Sequence, residues 1–209
     1  MNNHNNHRNN KTADCGWNIL KIACIALAYF GAHKIAFFFP DSAKVVMTVW
    51  PAAGIGLASF LLTPYRRWPA LVVAFYVSGV SADVFLANRP FLAAFGYMTG
   101  NMLESLACAW LIIGLCGKNV RFDRVKEILA LISGAVFVNA VSACVGAGTG
   151  AFVHAANFRN AWLSWYVSDG LGILLITPLV VTCVRVREFV PRIRHARIIE
   201  SGFFIALWS

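Results

Sequence analysis

Six stretches of this 209-residue sequence are apolar for about the length needed to cross a bilayer, and that repetition constrains the fold more than any single motif. They run over Trp17–Phe39, Val45–Thr63, Pro69–Ala87, Phe91–Cys116, Ile128–Val153 and Ala161–Val184. A further apolar piece at Ile198–Trp208, about eleven residues, is too short to span. Backbone in hydrocarbon must satisfy its own hydrogen bonds, and segments of this length do so as helices. A soluble helical core would instead need polar faces, and these segments lack them. Hydrophobic residues make up 59% of the chain and charged ones 13%, about half the share of a soluble domain, which favours the membrane reading. The expected fold is all-α: a polytopic transmembrane helix bundle of six spans plus a partial seventh.

The charge of +9 is informative through its placement. With the N-terminus inside, the inner segments hold 13 Lys and Arg, among them Arg66, Arg67, Lys118, Arg121, Arg124, Lys126 and the five arginines from Arg185 to Arg197; the outer loops hold Lys44, Arg89 and Arg159. Positive charge is retained inside, so the N-terminus is expected in the cytoplasm. The chain then divides into an Asn/His-rich cytoplasmic tail at 1–16, expected to be disordered, a transmembrane sensor-like domain at 17–184, and a basic cytoplasmic loop with a partial apolar helix at 185–209. Ala26-Leu27-Ala28 has the small residues of a signal-peptide cleavage site, but Lys21 interrupts the apolar region and apolar sequence continues past it, so the first span is expected to stay uncleaved. Nucleic-acid binding is excluded as an expectation, because no reader motif accompanies the charge.

The cysteines (Cys15, Cys24, Cys108, Cys116, Cys144 and Cys183) form no C-x-x-C pair and lie mostly in apolar runs, as small packing residues do. No cofactor, metal site or catalytic set is expected: no Ser/His pair, no H-x-x-x-H and no close carboxylate dyad occurs on one helix. His4 and His7 belong to the solvated tail.

Polar residues inside the spans are the unusual feature. In Gly96–Trp110, helical spacing places Gly96, Gly100, Asn101, Glu104, Ala107 and Cys108 on one small, polar face, with Met102, Leu103, Leu106 and Leu111 opposite. A carboxylate at bilayer depth costs roughly 2.5–3.5 kcal/mol on insertion scales, so Glu104 should face protein or a water-filled cavity. Asp83 and Asp169 fall in the outer half of their spans, and Glu104 near the middle, which suggests an outward-facing polar pocket formed by Asn101, Glu104, Asp169 and Asp83. Lys34, at comparable depth, either snorkels to the interface or pairs with one of these acids. Asn139, Ser142, Ala143, Gly146 and Gly150 form a second small, polar stripe. Gly146–Gly150 has the glycine content of a phosphate loop but lacks the preceding strand, so close helix packing is expected. Pro51 should bend the second helix and Thr177-Pro178 the sixth. The other acids, Asp14, Asp41, Asp123, Glu127, Glu188 and Glu200, lie in tails, loops or helix ends and call for no functional role.

Three motifs, WPAAGIGLA at Trp50–Ala58, GNMLESLACAWLI at Gly100–Ile112 and WYVSDGLGILLITPLV at Trp165–Val180, resemble in order and spacing the membrane-associated sensor domain of the first MASE type. The matching positions are Trp50, Pro51, Gly54, Gly100, Asn101, Glu104, Trp165, Asp169, Gly172, Thr177 and Pro178. The resemblance implies a bacterial inner-membrane input module of about eight helices that passes signals to a cytoplasmic histidine kinase or cyclic-di-GMP output domain. This sequence carries no kinase His box, nucleotide site or GGDEF-like segment, so it is expected to be a truncated product, a degenerate gene or a stand-alone module.

The function expected is a sensory input module without catalysis of its own, perceiving a signal through its polar intramembrane centre. The alternative is a small-solute or ion transporter, since midplane sites beside Gly- and Pro-interrupted helices are a transporter feature. Expected partners are the lipid bilayer, a small ligand or signal, a second copy in a homodimer, and a cytoplasmic output domain or partner outside this chain. Whether the acids line a pocket or only hold helices together stays open at this point.

Overall fold

The computed structural model describes residues 19–35 and 49–208, from 186 onward as backbone. The tail 1–16, with His4 and His7, lies outside the described residues, as do both ends of the expected first span and the start of the second.

All the described regular structure is helical. Helix α1 covers 19–35, α2 Pro51–Leu62, α3 Trp68–Leu86, α4 Phe91–Cys116, α5 Val125–Ser133, α6 Asn139–His154 and α7 Phe158–Trp208. A 3-10 turn at Tyr65–Arg67 leads into α3, and a π-helical turn at Gly134–Val138 joins α5 to α6 without a break. Four helical stretches are long and apolar enough to cross a membrane: Tyr65–Leu86, Phe91–Cys116, Val125–His154 and Phe158–Arg185. They leave Val73, Val77, Phe85, Trp110, Phe137, Phe152, Leu175 and Leu179 on outer surfaces, as a bundle solvated by lipid does.

The second helix is shorter than the apolar run suggests. It starts at Pro51, where the missing N–H costs nothing, instead of bending there. Trp50 is extended (φ −104°, ψ 92°), the conformation that a following proline favours. Twelve residues rise about 18 Å, little more than half the hydrocarbon thickness. Thus α2 is a half-helix, and the expected count of six full spans is not reached among the described residues.

Two further differences follow from packing. Helix α4 touches α2, α3, α5 and α6, so its neighbours, and not its apolar pattern, set which side is buried. Met102, expected on the outer face, is buried, while Ala107, expected on the inner one, is exposed. The stretch after Arg185, expected as a loop, continues α7 as helix to Trp208, and Thr177-Pro178 does not end it. Arginine is a good helix former, which suits that continuation.

Close helix approach rests on missing side chains. A Cβ at Gly54 would collide with the Gly172 carbonyl oxygen, and one at Gly172 with that of Trp50. The α2–α7 contact is therefore backbone against backbone. It is tied by Trp50 N donating to the Ser168 carbonyl (2.9 Å) and Thr177 Oγ1 donating to the Gly54 carbonyl (3.3 Å). A Cβ at Gly146 would meet the Trp165 ring at 2.5–2.6 Å, which explains Gly146 as a packing residue. Helix α1 seals the other side through Tyr29, whose ring lies 4.5 Å from that of Phe75.

Candidate functional site

The polar residues of α3, α4 and α7 meet at the end of the bundle where α2 begins. A cleft of about 160 Å³ is lined there by Trp50, Asp83, Arg89, Tyr97, Asn101, Ser164, Trp165, Ser168 and Asp169. Three of the four residues expected to form a polar centre are in this wall. The fourth, Glu104, stands one turn below Asn101 on α4, where Ser142 Oγ of α6 reaches its Oε1 at 3.4 Å. Relative exposure is 4% for Asp83, Asn101 and Asp169 and 1% for Glu104, so all four are buried among protein groups.

Local sequence explains how each side chain is presented. Residues 166–172 of α7, YVSDGLG, offer two main-chain carbonyls sideways. Asn139 Nδ2 donates to the Tyr166 carbonyl (2.7 Å), and Trp50 N to that of Ser168 (2.9 Å). Gly170 and Gly172 lie one turn beyond these carbonyls, and a Cβ on either would press on the visiting group: Asn139 Nδ2 at 3.0 Å for Gly170, Trp50 for Gly172. The π turn at Gly134–Val138 ends directly before Asn139, and such turns often mark functional positions. Gly134 faces Cys108 across the α4 contact. Trp165 is held flat over Gly146, with its ring 5.5 Å from that of Tyr97.

The charges are unevenly matched. Arg89, expected only as an outer-loop cation, sends its guanidinium back six residues to Asp83 Oδ1 at 3.0 Å and lies 5.0 Å over the Tyr97 ring. Lys34 is exposed on α1 and forms no ion pair among the described residues, which fits the snorkelling reading. Asp169 has Ser168 Oγ at 3.3 Å and no ion pair among the described residues. Asn101 Oδ1, Glu104 Oε2 and Asn139 Oδ1 are buried without a hydrogen-bond partner. The two amide oxygens are acceptors, so each lacks a donor.

Sequence reasoning did not single out Arg89, Tyr97 or Ser168 for the site, and it placed Asn139 and Ser142 only in a packing stripe. Arg89 had a usable signal, as the outer-loop cation nearest in sequence to Asp83. Tyr97 and Ser168 had none, because their role depends on which helix faces them. Glu127 was also set aside. It is buried, and its Oε2 accepts from Arg121 N (3.0 Å) and Phe122 N (2.5 Å), closing the loop before α5 around the left-handed Phe122 (φ 60°). Among the described residues no group of three His, Cys, Asp or Glu is arranged to hold a metal.

A second cleft, of about 380 Å³, opens at the opposite end of the bundle, with Arg66, Lys118 and Arg185 in its wall. The two ends thus differ in character: buried carboxylates line one, and cations line the other.

A family profile described as MASE1 matches residues 17–209, a range that includes every residue of the acidic cleft. No curated protein and no solved structure matches the chain. With several membrane-spanning helices and this match over most of its length, the chain is a multi-pass membrane protein and belongs to the MASE1 family of membrane sensory input domains.

Proposed function

We propose that this chain is the input region of a bacterial signal-transduction protein, placed in the inner membrane with its N-terminus in the cytoplasm, and that it perceives its signal in the cleft bounded by Asp83, Asn101 and Asp169 above Glu104. The observation that carries this reading is the convergence of buried polar groups from α3, α4 and α7 on one cleft. Interhelical hydrogen bonding alone contributes about 0.6 kcal/mol per bond on average, a poor return for burying carboxylates at bilayer depth. The positive-inside distribution supports an outer position for this cleft. Signal transfer runs through α7, which carries Asp169 and Ser168 in the cleft wall and continues as helix beyond Arg185. A ligand preferring one of two α2–α7 packings biases the position of that helix by its difference in affinity for the two. The output domain is a kinase or a cyclic-di-GMP enzyme, in the same polypeptide or in a partner.

The test joins the chain to a diguanylate cyclase or kinase output domain and reads basal and stimulated output. Asn101→Leu, Glu104→Ala and Asp169→Asn are expected to shift the set-point, whereas Lys34→Ala, His4→Ala and His7→Ala leave it in place. Three acid-cleft variants that insert, fold and signal like the parent would refute the reading.

A further inference from the structure

The acidic cleft has two corners of similar chemistry, only one of which holds a cation supplied by the described chain. In the first, the Asp83 carboxylate and the Tyr97 ring receive the guanidinium of Arg89, 3.0 Å from the carboxylate oxygen and 5.0 Å from the ring centroid. In the second, the Asp169 carboxylate lies in the same wall as Trp50 and Trp165, and Asp169 forms no ion pair among the described residues. A carboxylate beside two indole rings is an environment suited to a cation, since ring quadrupole and negative charge act together.

The hydrogen-bond balance indicates the same complement. Asn101, 4% exposed and in the cleft wall, has an Oδ1 with no partner, and Glu104 Oε2 one turn below it has none either. The Asn101 amide oxygen is an acceptor, so what it lacks is a donor. Exchanging the amide atoms of Asn139 would not redress this, because its Nδ2 is committed to the Tyr166 carbonyl at 2.7 Å. A divalent metal is disfavoured, because no three His, Cys, Asp or Glu residues converge among those described. A cleft of about 160 Å³ has room for the equivalent of roughly five waters, or a ligand of about that many heavy atoms.

We propose that the cleft binds a small alkylammonium cation, with Asp169 as its counter-carboxylate, Asn101 as acceptor, and Trp50 and Trp165 as its walls. This rests on the reading of the cleft as the signal site, and it specifies the chemical class of the signal.

The experiment uses the full chain in nanodiscs and three probes of nearly equal size: tert-butylammonium, tetramethylammonium and tert-butanol. The first carries charge and N–H donors, the second charge alone, the third a hydroxyl without charge. Affinity is measured by calorimetry at neutral pH. The expected order is tert-butylammonium, then tetramethylammonium, then tert-butanol, with about tenfold or more between first and last, and that preference is expected to collapse in Asp169→Asn. Trp50→Phe, which keeps an aromatic wall, is expected to weaken both cations several-fold and leave tert-butanol unchanged. Equal binding of tert-butanol and the cations, no binding of either cation, or unaltered cation affinity in both variants would each overturn the proposal. Failure here would leave the site reading standing if Asn101→Leu and Asp169→Asn still shift output in the fusion protein; loss of both results would end both.

Discussion

Replacing Gly172 by alanine is the most direct challenge to the α2–α7 contact. The added methyl would fall within collision distance of the Trp50 carbonyl oxygen, a backbone atom that cannot rotate aside. Either α2 shifts away or α7 unwinds, and both strain the bonds from Trp50 N to the Ser168 carbonyl and from Thr177 Oγ1 to the Gly54 carbonyl. Overpacking of this kind costs about 1–3 kcal/mol, occasionally more. Gly148 on α6 is the matched control, since a Cβ there meets nothing within 4 Å. Gly148→Ala gains helix propensity worth up to about 1 kcal/mol. The two variants should therefore differ by about 2–4 kcal/mol in opposite directions from the parent. Reversible unfolding in mixed micelles, followed by the near-ultraviolet signal of the tryptophans, reads this difference. Equal unfolding midpoints for Gly172→Ala, Gly148→Ala and the parent would show that α2 and α7 do not meet backbone to backbone.

Removing Glu127 with Glu127→Ala deprives Arg121 N and Phe122 N of their common acceptor, at a cost of about 1–2 kcal/mol, and should speed hydrogen exchange at those two amides before any other in the loop. A double-mutant cycle of Asp83→Asn and Arg89→Gln should return a coupling of about 1 kcal/mol, above an exposed pair and below a dry one, because Asp83 is buried while the Arg89 side chain is 35% exposed. A coupling of zero in the same unfolding assay would mean that Arg89 does not hold that corner of the cleft.

How far the site could be read in advance varied with the kind of interaction. Asn101, Glu104, Asp83 and Asp169 were visible because polar groups stand out in an apolar run, where any such group needs an explanation. Gly54, Gly100 and Gly172 were visible as small residues in motifs, but not what they meet. Met102 and Ala107 were placed on the wrong faces, because the buried side of α4 is set by its four neighbouring helices, which leave Leu103, Ala107 and Trp110 as the exposed stripe. Pro51 was taken as a kink. It is a helix start, since the extended Trp50 before it keeps a helix from running through that position. Glu127 seemed dispensable at a helix end, but its partners are the main-chain N–H groups of a loop, which have no side-chain signature.

The sequence by itself determined that this chain is a helical membrane protein with acids held inside it. Hydrocarbon imposes helix on any apolar run of that length and makes every buried charge costly, and both effects are local to the segment. Only the tertiary structure decided that those acids share a cleft, that Arg89 neutralises Asp83, and that α2 is a half-helix tied by its backbone to α7. Those outcomes depend on contacts between residues as far apart as Gly54 and Thr177. Between lipid-solvated helices, contacts of this kind are chosen by shape and hydrogen bonding instead of by apolar burial, so no periodicity along the chain encodes them.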